Sequence, residues 1–144
     1  MNETGRPQDF PLSNPRADRV RDVAKLAGRP ARLRRRQFLA EGPQAVREAL
    51  TLHRKRTAAG EPGVVREVFA SEACLDRYPE FEDLAAGTSA RLATDEVLAA
   101  MADTVTPQGI IAVCDFVDVT LDDVLDARPR LIACLLYTSD AADE

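Results

Sequence analysis

The residues best equipped for chemistry in this chain are guanidinium groups. Arg32, Arg34, Arg35 and Arg36 stand within one short stretch, with Arg16 and Lys25 upstream. An arginine fork donates parallel N–H bonds to a phosphate, and a cluster of forks binds a polyanion salt-sensitively because condensed counterions are released. The charge distribution agrees with such a partner. Residues 1–56 hold 14 Lys/Arg against 6 Asp/Glu, a balance of +8, whereas residues 57–144 hold 5 against 18, a balance of −13. The net charge of −5 therefore conceals a basic half. Taken alone, a charge run is most simply a solvated turn. Here it directly precedes an apolar strand candidate, Gln37-Phe38-Leu39-Ala40-Glu41, which would hold it in a fixed orientation. With aromatics at 5%, base stacking on a sheet is disfavoured and recognition by backbone and shape is expected.

A second candidate contact is the polar loop Thr106-Pro107-Gln108-Gly109, which serves equally well as the turn into a following strand. Glu41 and Gly42, at the end of the first strand, admit the same two readings, contact with the polyanion or bonding to backbone amides. Catalytic chemistry is not written here. Asp122-Asp123 and Glu80, Glu82 and Asp83 sit in helix-start or loop contexts, where solvated charge is the default. His53 falls in His53-Arg54-Lys55-Arg56, where cations complement a helix C-terminal dipole. The three cysteines are far apart, with one histidine in the chain, which excludes a paired-cysteine zinc site and a disulfide framework. Cys74 and Cys114 read as small apolar side chains. No catalytic, cofactor or metal-binding residue is assigned.

These groups must be positioned by alternating elements. Ser13-Asn14-Pro15 reads as a capped helix start, with Val20, Val23, Ala24 and Ala27 at helical spacing and Gly28 and Pro30 as its stop. After the arginine-rich turn and the first strand, Gly42-Pro43 breaks the chain. Gln44 to Arg56 then reads as a helix with an apolar stripe from Ala45 to Leu52. Val64 to Ala70 is β-branched and strand-like, Ser71 caps a short helix ended by Pro79, and Arg91-Leu92-Ala93 reads as a short strand. Thr94 caps a further helix. Ile110 to Cys114 is a continuous apolar run, the pattern of a strand buried on both faces. Thr120 with Asp123 caps a last turn, and Leu131-Ile132-Ala133 reads as one more strand. Strands alternating with helices predict an α/β domain with a mixed or parallel sheet. Neither a membrane-length apolar run nor a signal-peptide pattern is present, so a cytoplasmic protein is expected.

The order of these pieces resembles the substrate-binding domain that precedes the knotted catalytic domain in SpoU-type (TrmH-family) RNA ribose methyltransferases. The resemblance rests on Ser13-Asn14-Pro15-Arg16, on Phe38-Leu39-Ala40-Glu41-Gly42 with Val46 and Ala49-Leu50 after it, and on Val65 to Phe69. Most distinctive is Ala102-Asp103-Thr104-Val105-Thr106-Pro107-Gln108-Gly109-Ile110-Ile111-Ala112-Val113. Together they cover roughly residues 13–133 in the family's order. The resemblance implies a three-layer α/β/α sandwich with a small mixed sheet, shared with certain ribosomal proteins that bind structured RNA. It also implies that this domain recruits ribosomal or transfer RNA while a following domain binds S-adenosylmethionine and methylates a ribose 2′-hydroxyl.

The family's Asn-x-Gly-x-x-x-Arg motif and its two later motifs do not occur, so the chain is expected to lack the knotted domain and to be inactive alone. The expected division is a disordered leader over 1–12, the RNA-binding domain over 13–128 and the start of the catalytic domain over 129–133. Residues 134–144 look like the in-frame translation of a transposase sequencing adapter. Members of the family pair through the knotted domain, so the whole enzyme is expected to be a homodimer and this piece a monomer. The alternative is a stand-alone, non-catalytic RNA-binding protein of the same ribosomal-protein-like fold.

Overall fold

A computed structural model of the chain describes residues 11–135. The first helix, α1 (Asp18–Ala24), begins later than the Ser13-Asn14-Pro15 signal suggests, and no side chain caps it. Asn14 closes a local turn instead: its Oδ1 accepts from the Arg16 amide at 2.9 Å and its carbonyl from the Ala17 amide at 3.1 Å. A single 3-10 turn, Lys25–Ala27, follows. Gly28 then acts as the N-cap of α2 (Arg29–Arg35), with Pro30 in its first turn. The arginine run expected as a charged turn is thus a helix. A proline near the start costs no intrahelical bond, because those amides have no partner there anyway.

The strands are β1 (Gln37–Glu41), β2 (Val65–Ala70), β3 (Ser89–Leu92) and β4 (Ile110–Asp115). They form a mixed four-stranded sheet in the order β1-β4-β2-β3, with β4 antiparallel to both neighbours and β2 parallel to β3. The continuous apolar run is indeed central: Ile110 to Cys114 are all buried. A bulge at Arg66 places one extra β2 residue opposite β4.

Helices cover both faces. On one, α3 (Pro43–Ala58), α4 (Glu72–Arg77) and α5 (Glu80–Leu84) close a core that includes Val46, Leu50, Val68, Phe81, Ile110 and Cys114. On the other, α1 and α6 (Asp95–Met101) close a core of Val20, Val23, Leu26, Phe69, Val97, Leu98, Met101, Ile111 and Val113. This is the expected three-layer α/β/α arrangement, and the alternating burial of β4 feeds both layers. Ser71 caps α4 through a 3.1 Å bond from the Cys74 amide, and Thr94 caps α6 from the Val97 amide. Pro79 ends α4 as expected but also opens α5, a helix the sequence did not announce.

Both margins of the domain differ from expectation. Leu12, assigned to the leader, is bonded to the edge of β3: its amide donates to the Leu92 carbonyl and its carbonyl accepts from Thr94. Met1 to Phe10 lie outside the described residues. At the other margin, α7 (Leu121–Asp126) carries the anticipated capping box between Thr120 and Asp123, yet buries none of its residues. Leu131-Ile132-Ala133 pairs with no described strand and is exposed. Of the proposed tail, everything past Leu135 lies outside the described residues.

Candidate nucleic-acid interface

The sheet topology sends the two groups of candidate residues to opposite ends. β1 and β2 run antiparallel to β4, so Glu41, Ser71 and Gly109 meet at one end of the sheet. Arg36, Val64 and Phe116 meet at the other. Five strand residues separate the ends, about 16 Å of backbone.

At the loop end, the expected residues do come together. Glu41 Oε1 accepts from the Asp103 amide at 2.8 Å, and its other oxygen is buried with no partner among the described residues. Gly42 adopts φ 90°, a conformation open to glycine at little cost, and a Cβ there would stand 2.8 Å from Gln108 Oε1. Its amide donates to the Ile110 carbonyl at 3.0 Å. Gly109, at φ 86°, passes so close to α4 that a Cβ would meet Ser71 Oγ at 2.9 Å and Cys74 Cβ at 3.0 Å. Glu41, Gly42 and Gly109 are therefore occupied in clasping the loop to the sheet. Thr106 and Gln108 remain exposed at the rim, and Pro107 is half-buried.

The basic end is divided by use. Arg32 Nη1 donates to the carbonyls of Leu26 (3.0 Å) and Ala27 (2.5 Å), closing the end of the 3-10 turn. Arg35 donates to the Asp22 carbonyl at 2.8 Å and to its carboxylate at 2.5 Å, tying α2 to α1. Both forks are thus spent within the protein, although the sequence grouped them with the free ones. Arg34 is exposed, and Arg36 is exposed with its guanidinium 5.3 Å from the centroid of the Phe116 ring. Arg16 and Lys25 are exposed at the two ends of α1, in the layer opposite α3. Asp115, the acid closest to this end of β4, bonds Arg66 Nε at 2.6 Å, and this pairing raises the Arg66 guanidinium above its ordinary range.

His53 is structural, but for a reason the sequence hid. Its Nδ1 accepts from the amides of Val64 and Val65, each at 3.0 Å, and its ring lies against Gly63. The Gly60-Pro62-Gly63 cluster before an apolar strand was the available signal. Cys74 and Cys114 are buried; desolvation pushes the Cys114 thiol up to about 12, with the neighbouring Asp115 charge adding to it. Among the described residues no cluster could hold a metal ion, and no helix is long and apolar enough to cross a membrane.

Residues 17–112 match the MRM3-like substrate binding domain. The chain belongs to that family. It is 28% identical over 140 residues to 23S rRNA (guanosine(2553)-2′-O)-methyltransferase RlmP of Bacillus subtilis, a match covering 91% of this chain and 50% of the relative. The chain thus spans half the length of that curated relative. Among solved structures, an AdoMet-bound rRNA methyltransferase from Sinorhizobium meliloti superposes with TM-score 0.60 at 20% identity, over 79% of this chain and 39% of that one. The SpoU methyltransferase AviRb from Streptomyces viridochromogenes, in complex with AdoMet, superposes with TM-score 0.52 at 19% identity, over 75% and 36%. The SpoU-type resemblance and the α/β/α fold it implied are both borne out.

Proposed function

We propose that this domain recruits RNA for an S-adenosylmethionine-dependent RNA 2′-O-ribose methyltransferase, and that it does no chemistry alone. The observation that carries the reading is the match of residues 17–112 to a substrate-binding domain family, on a chain whose curated relative methylates 23S rRNA. Ribosomal RNA is the favoured substrate on the same ground, and the exposed arginines at the α2–β1 corner supply a chemistry suited to its backbone.

The methyl donor belongs to the catalytic half of such an enzyme. A groove of about 840 Å3 lies between α4, α5 and β3, floored by Val68, Leu75, Phe81 and Leu92 with Glu72 and Glu82 at its rim. Thr88, Ser89 and Arg91 also line it, and no role in donor binding is assigned to it. Homodimer formation is likewise assigned to the catalytic half, the domain alone being a monomer in the cytoplasm.

The deciding experiment is filter binding of the full chain to 23S ribosomal and transfer RNA across a salt series, with radiolabelled S-adenosylmethionine present. Saturable, salt-weakened binding to ribosomal RNA without label transfer is the expected result. Label transfer would overturn the assignment as a domain without chemistry, and absence of binding would overturn the RNA reading. An open frame continuing in the source gene into an Asn-x-Gly-x-x-x-Arg motif separates this reading from a stand-alone RNA-binding protein.

A further inference from the structure

The aromatic pair at the end of the sheet fixes the direction of the arginine at the α2–β1 corner. Ala40 belongs to the core under α3 and Phe38 packs against it, so these alternate residues of β1 face the α3 layer. Arg36 precedes β1 in a left-handed conformation, outside that alternation. Its guanidinium lies over Phe116, which in turn stands 6.4 Å from Phe38, centroid to centroid. Helix α3 runs back over the sheet from Pro43. Its 16 residues span about 24 Å, whereas the five residues of β1 span about 16 Å. The last turns of α3 therefore overhang the sheet end where Arg36 and Phe116 stand. His53 marks the crossing, because it bonds the first residues of β2. Arg56, half-buried, lies three residues beyond His53 on the flank of the stripe formed by Val46, Leu50 and His53, and Lys55 stands exposed on the outer face of the helix.

The charges at this end do not cancel. Arg54 is paired with Asp83, and Asp115 is taken up by Arg66. Arg34, Arg36, Lys55 and Arg56 have no carboxylate partner among the described residues; the exposed acids nearest Lys55 and Arg56 in the chain are Glu48 and Glu61, and Asp118 follows Phe116 by two residues. Arg36 also holds an uncommon backbone conformation, φ 53° and ψ 46°, at the C-cap of α2. Glycine or asparagine fits that position with less strain.

We propose that Arg36 and Arg56, flanked by Arg34 and Lys55, form one phosphate-binding crest where α3 overhangs the Phe38–Phe116 end of the sheet. The crest rests on the RNA-recruiting reading and gives it a location: it grips the ribose-phosphate backbone of structured RNA, while Arg32 and Arg35 hold the corner in place. The test is nitrocellulose filter binding of in vitro transcribed 23S ribosomal RNA to the full chain and two variants. Lys55→Gln/Arg56→Gln removes charge but keeps the aliphatic stems, and Arg36→Asn keeps a residue that tolerates the left-handed backbone. Each variant should bind about tenfold or more weakly, with the salt slope lowered by about 1 for each cation removed. The melting temperature of Arg36→Asn should stay at or above that of the parent. Parental affinity and slope in both variants would overturn the crest and leave the RNA reading standing. A parent chain that binds no RNA would overturn both.

Discussion

The two ends of this sheet make opposite use of the residues that look functional. At the loop end, Glu41 bonds the Asp103 amide, Gly42 bonds the Ile110 carbonyl and Gly109 packs against α4, so an apparent motif is largely a clasp. At the basic end, two of four clustered arginines make internal bonds and two remain exposed, one of them, Arg36, over the Phe116 ring. Conspicuous sequence at one end builds the frame. At the other, its leftovers meet the solvent. The lesson is that a residue's availability depends on what its side chain already bonds, which type and spacing do not reveal.

The sharpest way to break the comparison is at Gly109. Gly109→Ala forces a positive-φ alanine whose Cβ meets Ser71 and Cys74, both buried, and should destabilise the fold by about 3 kcal/mol in chemical denaturation. A loss below about 1 kcal/mol would mean that the loop end is not a tight clasp. Next is Arg35→Ala, which strips two hydrogen bonds from Asp22 and should cost about 1.5 kcal/mol. Its RNA salt slope should stay at the parental value; a slope lowered as in Arg36→Asn would return Arg35 to the RNA-binding group. Glu41→Ala frees the Asp103 amide at an exposed position, with a cost of about 1 kcal/mol and faster amide exchange at Asp103 as the readout. The smallest effect concerns thiol chemistry. Cys114 is fully buried and its thiol is pushed up to about 12, so at pH 8 it stays protonated and should resist a thiol reagent in the folded protein, whereas the exposed Cys134 reacts. Rapid labelling of Cys114 at pH 8 would show that the sheet centre opens readily.

Much of the frame was legible because its signals are local. The β4 run, β1, and the caps at Ser71, Thr94 and Thr120 each rest on a few adjacent residues. Helix α2 was missed because Gly28 and Pro30 were taken as a stop, whereas a glycine cap and an early proline serve equally well as a start. The Asn14 turn absorbed a capping signal for the same reason, since a short polar side chain bonds its own neighbourhood before any helix needs it. The site was less legible than the fold. Arg35 meets Asp22 across 13 residues, and Arg36 meets Phe116 only once β1 and β4 have paired. Lys55 and Arg56 looked like dipole compensation because their relation to Arg36 depends on how far α3 outruns the strand beneath it.

The central claim is that RNA lies against the basic end rather than the loop end. Ultraviolet cross-linking of the full chain to 23S ribosomal RNA, with the modified peptides identified by mass spectrometry, reads this directly. Adducts on the segments carrying Phe38 and Phe116 or Lys55 and Arg56 are predicted. Adducts confined to Asp103 through Gly109 and the Glu41-Gly42 turn would contradict the account and place the RNA on the opposite end of the sheet.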